Sequence, residues 1–524
     1  MKTKKRIISV NCGLMIAVLF FHVSCYTLPP TDMTKENIIP KPVSVVATNE
    51  TFSITEKTAI YTLGTSEELN EIAVYLVGLL KPATGFNIEI KTTNKTSPKG
   101  SILLSLSDTN TEIGDEGYVI EVTKKNINIS ANKPAGLFNG IQTLRQLLPA
   151  EIEKNTKQNI AWNIATGIIT DYPVYAYRGA MLDVTRHFLK IEDVKRYIDL
   201  ISAYKINFLH LHLSDDQGWR IEIKSWPNLT IHGSKSEVGD GPGGFYTQEE
   251  YIDLVAYAAK RGVTIVPEID MPGHTNAAIA SYPELGISGI APDLYRGTKV
   301  GFSTFDTNKE ITYKFVEDVF TELAAMTPGP YLHIGGDESH VTKDEDYIPF
   351  IERVQDIVLK IGKTSIGWDE ISLGELRPGT IAQYWSSKKN AQKAVAQGAK
   401  LLMSPSSRAY LDMKYDSTTT IGYTWAGLIE VDKAYDWDPA TLEEGIGRNN
   451  IIGIEAPLWT ETVTNIKEAE FLTFPRLPGH AEIGWTSVEN RNWDDYKVRL
   501  GNHAKRFKAM DINYYPSKLV PWVE

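Results

Sequence analysis

Asp337 and Glu338, preceded by Gly335 and Gly336, form the element of this sequence best suited to acid–base chemistry. Cleavage of a glycosidic bond needs a protonated carboxylic acid beside the leaving oxygen. A neighbouring carboxylate and a partly dry pocket each raise the pKa of such an acid. Adjacent residues in extended chain point opposite ways, so both can act at one place only if the glycines bend the chain. The same segment also reads as a helix N-cap, with Asp337 bonding the first-turn amides. Comparable residues follow other short β-branched runs: Arg186-His187, Asp215-Asp216-Gln217, Asp270 to His274, Trp368-Asp369, Trp385, Tyr410 with Asp412, and Trp459 with Glu461. Carboxylates dominate (Asp215, Asp270, Asp337, Glu338, Asp412 and Glu461), with one strong cation, Arg186, and one histidine, His274, on a Pro272-Gly273 approach. Aromatic faces ringed by carboxylates suit a pyranose, whose C–H faces pack on π systems while its hydroxyls donate to Asp and Glu. Trp368, Trp385 and Trp459 are therefore expected at the ligand, and Trp226, Trp425, Trp437 and Trp493 in the core. Six carboxylates in one pocket do not say which is the acid.

The runs that deliver these residues lie at 179–184, 207–213, 264–269, 331–334, 364–367, 381–384, 400–403 and 453–456. Amphipathic segments such as 248–261, 309–326 and 347–361 separate them, and 494–510 reads as a closing helix. Eight β/α units predict an α/β protein with a (β/α)8 TIM barrel, whose active residues collect at the carboxyl ends of the strands. A doubly wound open sheet is the alternative, but no GxGxxG or GxxxxGK[ST] follows any run. Before the barrel the pattern is mixed. Strand signals at 88–90, 101–106, 118–122 and 127–130 and helix patterns at 66–80 and 134–148 predict a small α+β domain. It contains no histidine, so its expected role is supporting. The expected division is 1–25 signal, 26–37 tether, 38–150 small domain and 151–524 barrel.

The chain has 524 residues, 42% hydrophobic and 23% charged, which is too apolar for disorder. A net charge of −11, with no Lys/Arg block after residue 6, argues against a nucleic-acid partner, and none is expected. Two cysteines exclude a disulfide scaffold and a CxxC metal site. The start is an address: Lys-Thr-Lys-Lys-Arg at 2–6, a mostly apolar stretch at 7–21, then Val23-Ser24-Cys25. A small residue before Cys resembles a bacterial lipoprotein processing site, with Cys25 as the lipidated residue. His22 stands where Leu is usual, and ordinary cleavage nearby is the plain alternative. Either way the expectation is export across a bacterial inner membrane, to the periplasm or as an outer-membrane lipoprotein anchored through Cys25.

Several long stretches resemble the family 20 glycoside hydrolases, the β-N-acetylhexosaminidases. They are 178–188 (RGAMLDVTRHF), 210–220 (HLHLSDDQGWR), 267–274 (PEIDMPGH), 333–338 (HIGGDE), 410–412 (YLD) and 458–461 (LWTE). The resemblance runs from about residue 38 to the C-terminus and implies a small α+β domain before a barrel. It implies exo-hydrolysis of terminal non-reducing β-linked N-acetylhexosamine, GlcNAc or GalNAc, with retention, no cofactor and no metal. The nucleophile is then the sugar's own 2-acetamido oxygen, an exception to the two-carboxylate scheme. By position, Glu338 is the general acid and later the base, and Asp337 orients the acetamido N–H and stabilises the oxazolinium ion. Tyr410 bonds the acetamido oxygen. Trp368, Trp385 and Trp459 wall the pocket, and Arg186, Glu461 and Asp412 hold ring hydroxyls. Asp215 and His274 support Glu338, with Asp270 behind His274.

Two rival readings stand beside this one. A metal-dependent hydrolase could use His210 and His212, two apart on a strand, with His274 and Asp337. A non-catalytic surface glycan-binding lipoprotein would also use a Trp-rich pocket, but has no need of an acid at position 338.

Overall fold

The computed structural model describes residues 29–96 and 98–524; Cys25 and the expected signal lie outside the described residues. The N-terminal unit has seven strands: β1 (Ser44–Ile54), β2 (Ile60–Leu63), β3 (Ile90–Thr93), β4 (Ile102–Leu106), β5 (Tyr118–Val122), β6 (Ile127–Ala131) and β7 (Trp162–Asp171). Across the sheet they run β1-β7-β5-β6-β4-β2-β3. Burial alternates residue by residue in β5 and β6, the pleat period of two, and turns Ile120, Val122, Ile127 and Ile129 inward. Helices α1 (Glu67–Thr84) and α2 (Pro134–Leu147) cover this apolar face. The Ser66 hydroxyl caps α1 by accepting the Leu69 N–H at 3.1 Å, and the helix stops at Gly85, φ 68°. Leu69, Ala73, Leu76 and Leu80 recur at steps of three and four and are buried against the sheet.

The expected helices are present, and so are the expected strands, with the one read at 88–90 falling two residues later. β1, β2 and β7 escape the sequence pattern; in β1 only Phe52 and Ile54 are buried. β7 lies between β1 and β5, so the boundary expected at residue 150 moves to the stretch between Asp171 and Tyr177. The expected tether is also partly folded: Met33 is buried in the small domain's core and the Asn37 carbonyl is bonded to His503 Nε2 at 2.6 Å.

All eight runs of the second unit are strands: β8 (Tyr177–Asp183), β9 (Phe208–His212), β12 (Thr264–Glu268), β13 (Tyr331–His333), β14 (Thr364–Trp368), β15 (Ile381–Tyr384), β16 (Lys400–Met403) and β17 (Ile451–Leu458). A short hairpin, β10 (Ser214–Asp215) with β11 (Gly218–Trp219), leaves the end of β9. The eight strands pair in parallel and close on themselves, which excludes the open doubly wound sheet. The expected closing helix breaks at His503 into Trp493–Asn502 and Ala504–Ala509.

The two units share a polar interface. Arg178 bonds Glu116 at 2.6 and 3.0 Å. Lys205, fully buried, donates to Tyr118 OH at 2.7 Å and Asp171 Oδ2 at 3.0 Å, and its ammonium lies 4.3 Å from the Trp485 ring centroid. Trp485 Nε1 donates to the other oxygen of Asp171 at 2.8 Å.

Candidate active site

The turn that the Asp337-Glu338 pair requires is present. Gly335 and Gly336 have φ of 65° and 105°, and Glu338 itself has φ 46°. A Cβ on Gly335 would lie 1.7 Å from Asp270 Oδ1, so only glycine fits there. The Gly336 N–H donates to Asp270 Oδ1 at 3.1 Å, and Tyr347 OH donates to the Gly336 carbonyl at 2.6 Å. His274 is left-handed as well, with φ 56°. Left-handed backbone costs a non-glycine residue about 1–2 kcal/mol, here borne by the two side chains that must face each other. Asp337 caps no helix, since the next one begins at Asp344 and Asp337 Oδ1 has no hydrogen-bond partner among the described residues.

The two carboxylates converge on one imidazole. His274 Nε2 lies 3.8 Å from Asp337 Oδ2 and 3.7 Å from Glu338 Oε2. Asp337 is buried, while the Glu338 side chain is 28% exposed and open to a ligand. Behind them, His274 Nδ1 bonds Asp215 Oδ1 at 3.1 Å. Asp215 Oδ2 accepts from His212 Nε2 at 2.8 Å and pairs with Arg186 at 2.7 Å. Burial opposes ionisation of Asp215, but Arg186 and His274 outweigh it and hold the carboxyl well below its usual range. Burial likewise disfavours charge on His274, but Asp215, Asp270 and Asp337 prevail and push the imidazole well above its ordinary value. Asp337 moves the other way: burial and then Asp270 push its carboxyl well up. Burial raises Asp270 to about 7, helped by Glu268 and opposed by His274.

Aromatic rings wall the space next to these carboxylates. Trp368 and Trp459 lie 5.7 Å apart between centroids, Trp385 stacks with Tyr410 at 6.4 Å and 17°, and Tyr410 is 6.4 Å from Trp459. Arg186 sits 4.7 Å from the Trp459 ring centroid. Arg186 Nε, Asp412 Oδ1 and Glu461 Oε2 are buried without hydrogen-bond partners among the described residues. Buried polar atoms are normally satisfied, so these three are open to a ligand or water. Burial and then Glu461 push the Asp412 carboxyl well up, and burial raises Glu461 despite Arg186. Burial, Asp337 and Asp412 raise the Tyr410 phenol far above its usual value, so it is a neutral hydrogen-bonding group.

The structure therefore brings together every residue expected at the site except Cys25, which lies outside the described residues. Three participants went unread. Glu370 accepts the Trp385 indole N–H at 3.0 Å, and Glu268 accepts that of Trp368 at 2.9 Å. Each of these carboxylates orients one wall of the pocket. Trp425, expected in the core, is 56% exposed and stands edge-on to Tyr410 at 5.7 Å and to Trp385 at 6.1 Å. It sits at the mouth, on a loop whose position no strand pattern encodes. Trp226 and Trp437 are buried as expected, and Trp493 is half-buried. The histidine pair of the metal reading is committed to carboxylates: His210 to Glu455 and Glu268 at 2.9 and 3.1 Å, His212 to Glu268 and Asp215.

Comparison with known proteins agrees with this geometry. Residues 175–347 and 340–488 match the catalytic domain of glycosyl hydrolase family 20, and residues 35–172 match domain 2 of the same family. A β-N-acetylhexosaminidase of Cellulomonas fimi is 40% identical over 93% of this chain and 97% of its own. The structure of a family 20 β-N-acetylhexosaminidase from Streptomyces coelicolor A3(2) superposes with a TM-score of 0.90 at 49% identity, covering 93% of this chain and 99% of that one. A mutant β-hexosaminidase of Streptomyces plicatus in complex with the product GlcNAc gives 0.90 at 48% identity, over 93% and 98%.

Proposed function

The chain belongs to glycosyl hydrolase family 20, and we propose that it hydrolyses terminal β-linked N-acetylhexosamine with the substrate's own acetamido group as nucleophile. The observation that carries this mechanism is the aromatic box beside Asp337. Neighbouring ring centroids 5.7 to 6.4 Å apart join Trp368, Trp459, Tyr410 and Trp385 into one continuous aromatic wall, and the Asp337 carboxyl is close enough to raise the Tyr410 phenol. An acetamido group placed there has its methyl among Trp368, Trp385 and Trp459, its oxygen toward Tyr410 and its N–H toward Asp337.

The steps follow from the residues. Arg186, Asp412 and Glu461 take the ring hydroxyls with the three unpartnered atoms they present. Glu338 protonates the departing oxygen while the acetamido oxygen attacks the anomeric carbon. The C–O bond to the leaving group breaks, and a C–O bond within the sugar forms a cationic oxazolinium ion. That cation favours the ionised form of the Asp337 carboxyl beside it. Glu338, now a carboxylate, takes a proton from water, which opens the ring with overall retention. Protonated His274 faces Glu338 at 3.7 Å through both steps.

Trp425 extends the pocket outward, where its exposed face can stack on the sugar to which the terminal residue is linked. Residues 2–25 support export and lipid attachment at Cys25, which would place the enzyme on or behind a bacterial outer membrane. Among the described residues no helix is long and apolar enough to cross a membrane. The mechanism is tested by hydrolysis of a panel of aryl β-glycosides. Turnover is expected only with the 2-acetamido group, and a thiazoline mimic of the oxazolinium ion should bind far tighter than the free sugar. Equal turnover of the 2-hydroxy substrates would mean a protein nucleophile instead.

A further inference from the structure

The barrel interior holds a polar layer where such folds usually carry branched apolar side chains. His210, His212, Glu268, His333, Gln383 and Glu455 are all buried within it. Glu268 is its hub. Its Oε1 accepts the Trp368 indole N–H at 2.9 Å. Its Oε2 accepts from His212 Nδ1 and from His210 Nε2, the latter at 3.1 Å. His333 Nδ1 lies 3.0 Å from Oε1. The donors come from β9 on one side and β14 on the other, while Glu268 itself ends β12. One carboxylate thus spans the strands that deliver two separate parts of the site.

Those two parts have different jobs. Trp368 is a wall of the acetamido pocket. His212 passes its other ring nitrogen to Asp215 at 2.8 Å, Asp215 holds His274 at 3.1 Å, and His274 faces Glu338 at 3.7 Å. We propose that Glu268 is a positioning residue for the hydrolysis, fixing at once the acetamido-pocket wall and the residues that hold the general acid. This inference rests on the acetamido-assisted mechanism above.

The chemistry requires a carboxylate. His210, His212 and Trp368 each turn an N–H toward Glu268, while His333 Nδ1 accepts the Gly335 N–H at 3.1 Å, and a carboxylate is acceptor-only, with room for several donors. The imidazoliums of His212 and His210 favour its charged form in return: despite burial they hold its carboxyl well below the usual range, whereas burial pushes His333 down toward the neutral ring. An amide in its place sets an NH2 against at least one of these donors. The amide oxygen can stay with the two histidines, so the N–H to N–H conflict falls on Trp368.

The test is Glu268→Gln, with Trp368→Phe as a second variant that breaks the same bond from the other side and keeps an aromatic wall. A buried hydrogen bond to a charged group is worth a factor of about 10 to 100. In folded, active-site-titrated Glu268→Gln enzyme, kcat/KM for an aryl N-acetyl-β-glucosaminide should fall by about that factor, and affinity for the thiazoline mimic should fall with it. The double variant should lose no more than the worse single one, because both remove one interaction. Two results overturn the proposal. One is a lowered melting temperature with unchanged kcat/KM and thiazoline affinity, the signature of a purely structural role. The other is losses that multiply in the double variant. Thiazoline binding no tighter than free sugar in the unmodified enzyme would instead refute the acetamido mechanism, so the two failures are distinguishable.

Discussion

Asp270 should cost the fold stability above neutral pH, and its replacement by Asn should recover that stability at the expense of turnover. The carboxyl is fully buried, with Oδ1 accepting the Gly336 N–H and Oδ2 without a partner among the described residues. Its pKa is about 7 in the folded protein against 3.8 for the unperturbed group. A raised carboxyl binds its proton more tightly in the folded state. Its contribution is therefore complete below the unfolded pKa and is lost as pH rises through the folded one. Three units at about 1.36 kcal/mol each give roughly 4 kcal/mol in all, of which about 3 kcal/mol falls between pH 4.5 and 7.5. Asn keeps the acceptor for Gly336 and removes the titration. The stability of Asp270→Asn minus that of the unmodified protein should thus grow by about that amount from pH 4.5 to 7.5. Chemical denaturation followed by tryptophan fluorescence at matched pH measures it. A difference that stays constant with pH would refute the reasoning, whatever its absolute size. Turnover should fall meanwhile, because Asp270 is one of the carboxylates that keep His274 charged.

Other outcomes follow from the same geometry. Glu338→Gln should lower kcat by about 10²–10⁴-fold, the usual worth of general acid–base catalysis; an unchanged rate in steady-state assays would remove Glu338 from that role. Asp337→Asn should reduce turnover and narrow the preference for 2-acetamido over 2-hydroxy substrates, as read from the ratio of their kcat/KM values. Trp425→Ala should raise KM for a disaccharide by about two- to tenfold, the worth of one aromatic contact, and affect an aryl glycoside differently. Lys205→Met leaves Asp171 buried without its cation and should destabilise the protein by about 3–5 kcal/mol, while turnover per folded molecule stays unchanged.

Much of this site is legible before folding because a (β/α)8 barrel places all its strand ends on one rim. Asp215, Asp270, Asp337, Trp368, Trp385 and Trp459 each stand within a few residues of a β-branched run, so a local pattern is enough to assign them to one pocket. The glycine pair before Asp337 is equally local, since the need for a left-handed turn is carried by residue type.

Contacts between distant segments were not written in any local pattern. Glu268 lies in the last position of a strand that reads as ordinary barrel wall, and only closure of the sheet brings it against His212 and Trp368, 56 and 100 residues away. Trp425 reads like any core tryptophan, and its loop decides that it faces solvent at the pocket mouth. Residues 162–171 carry no strand signal and fall inside the stretch expected to be barrel, yet as β7 they pair with β1 and β5 and belong to the small domain. Which of the six carboxylates can meet a leaving group also belongs to the tertiary structure: Asp215, Asp270, Asp337 and Asp412 are buried, while the Glu338 side chain is 28% exposed. Burial at each position is set by strands far apart in sequence, which no local pattern records.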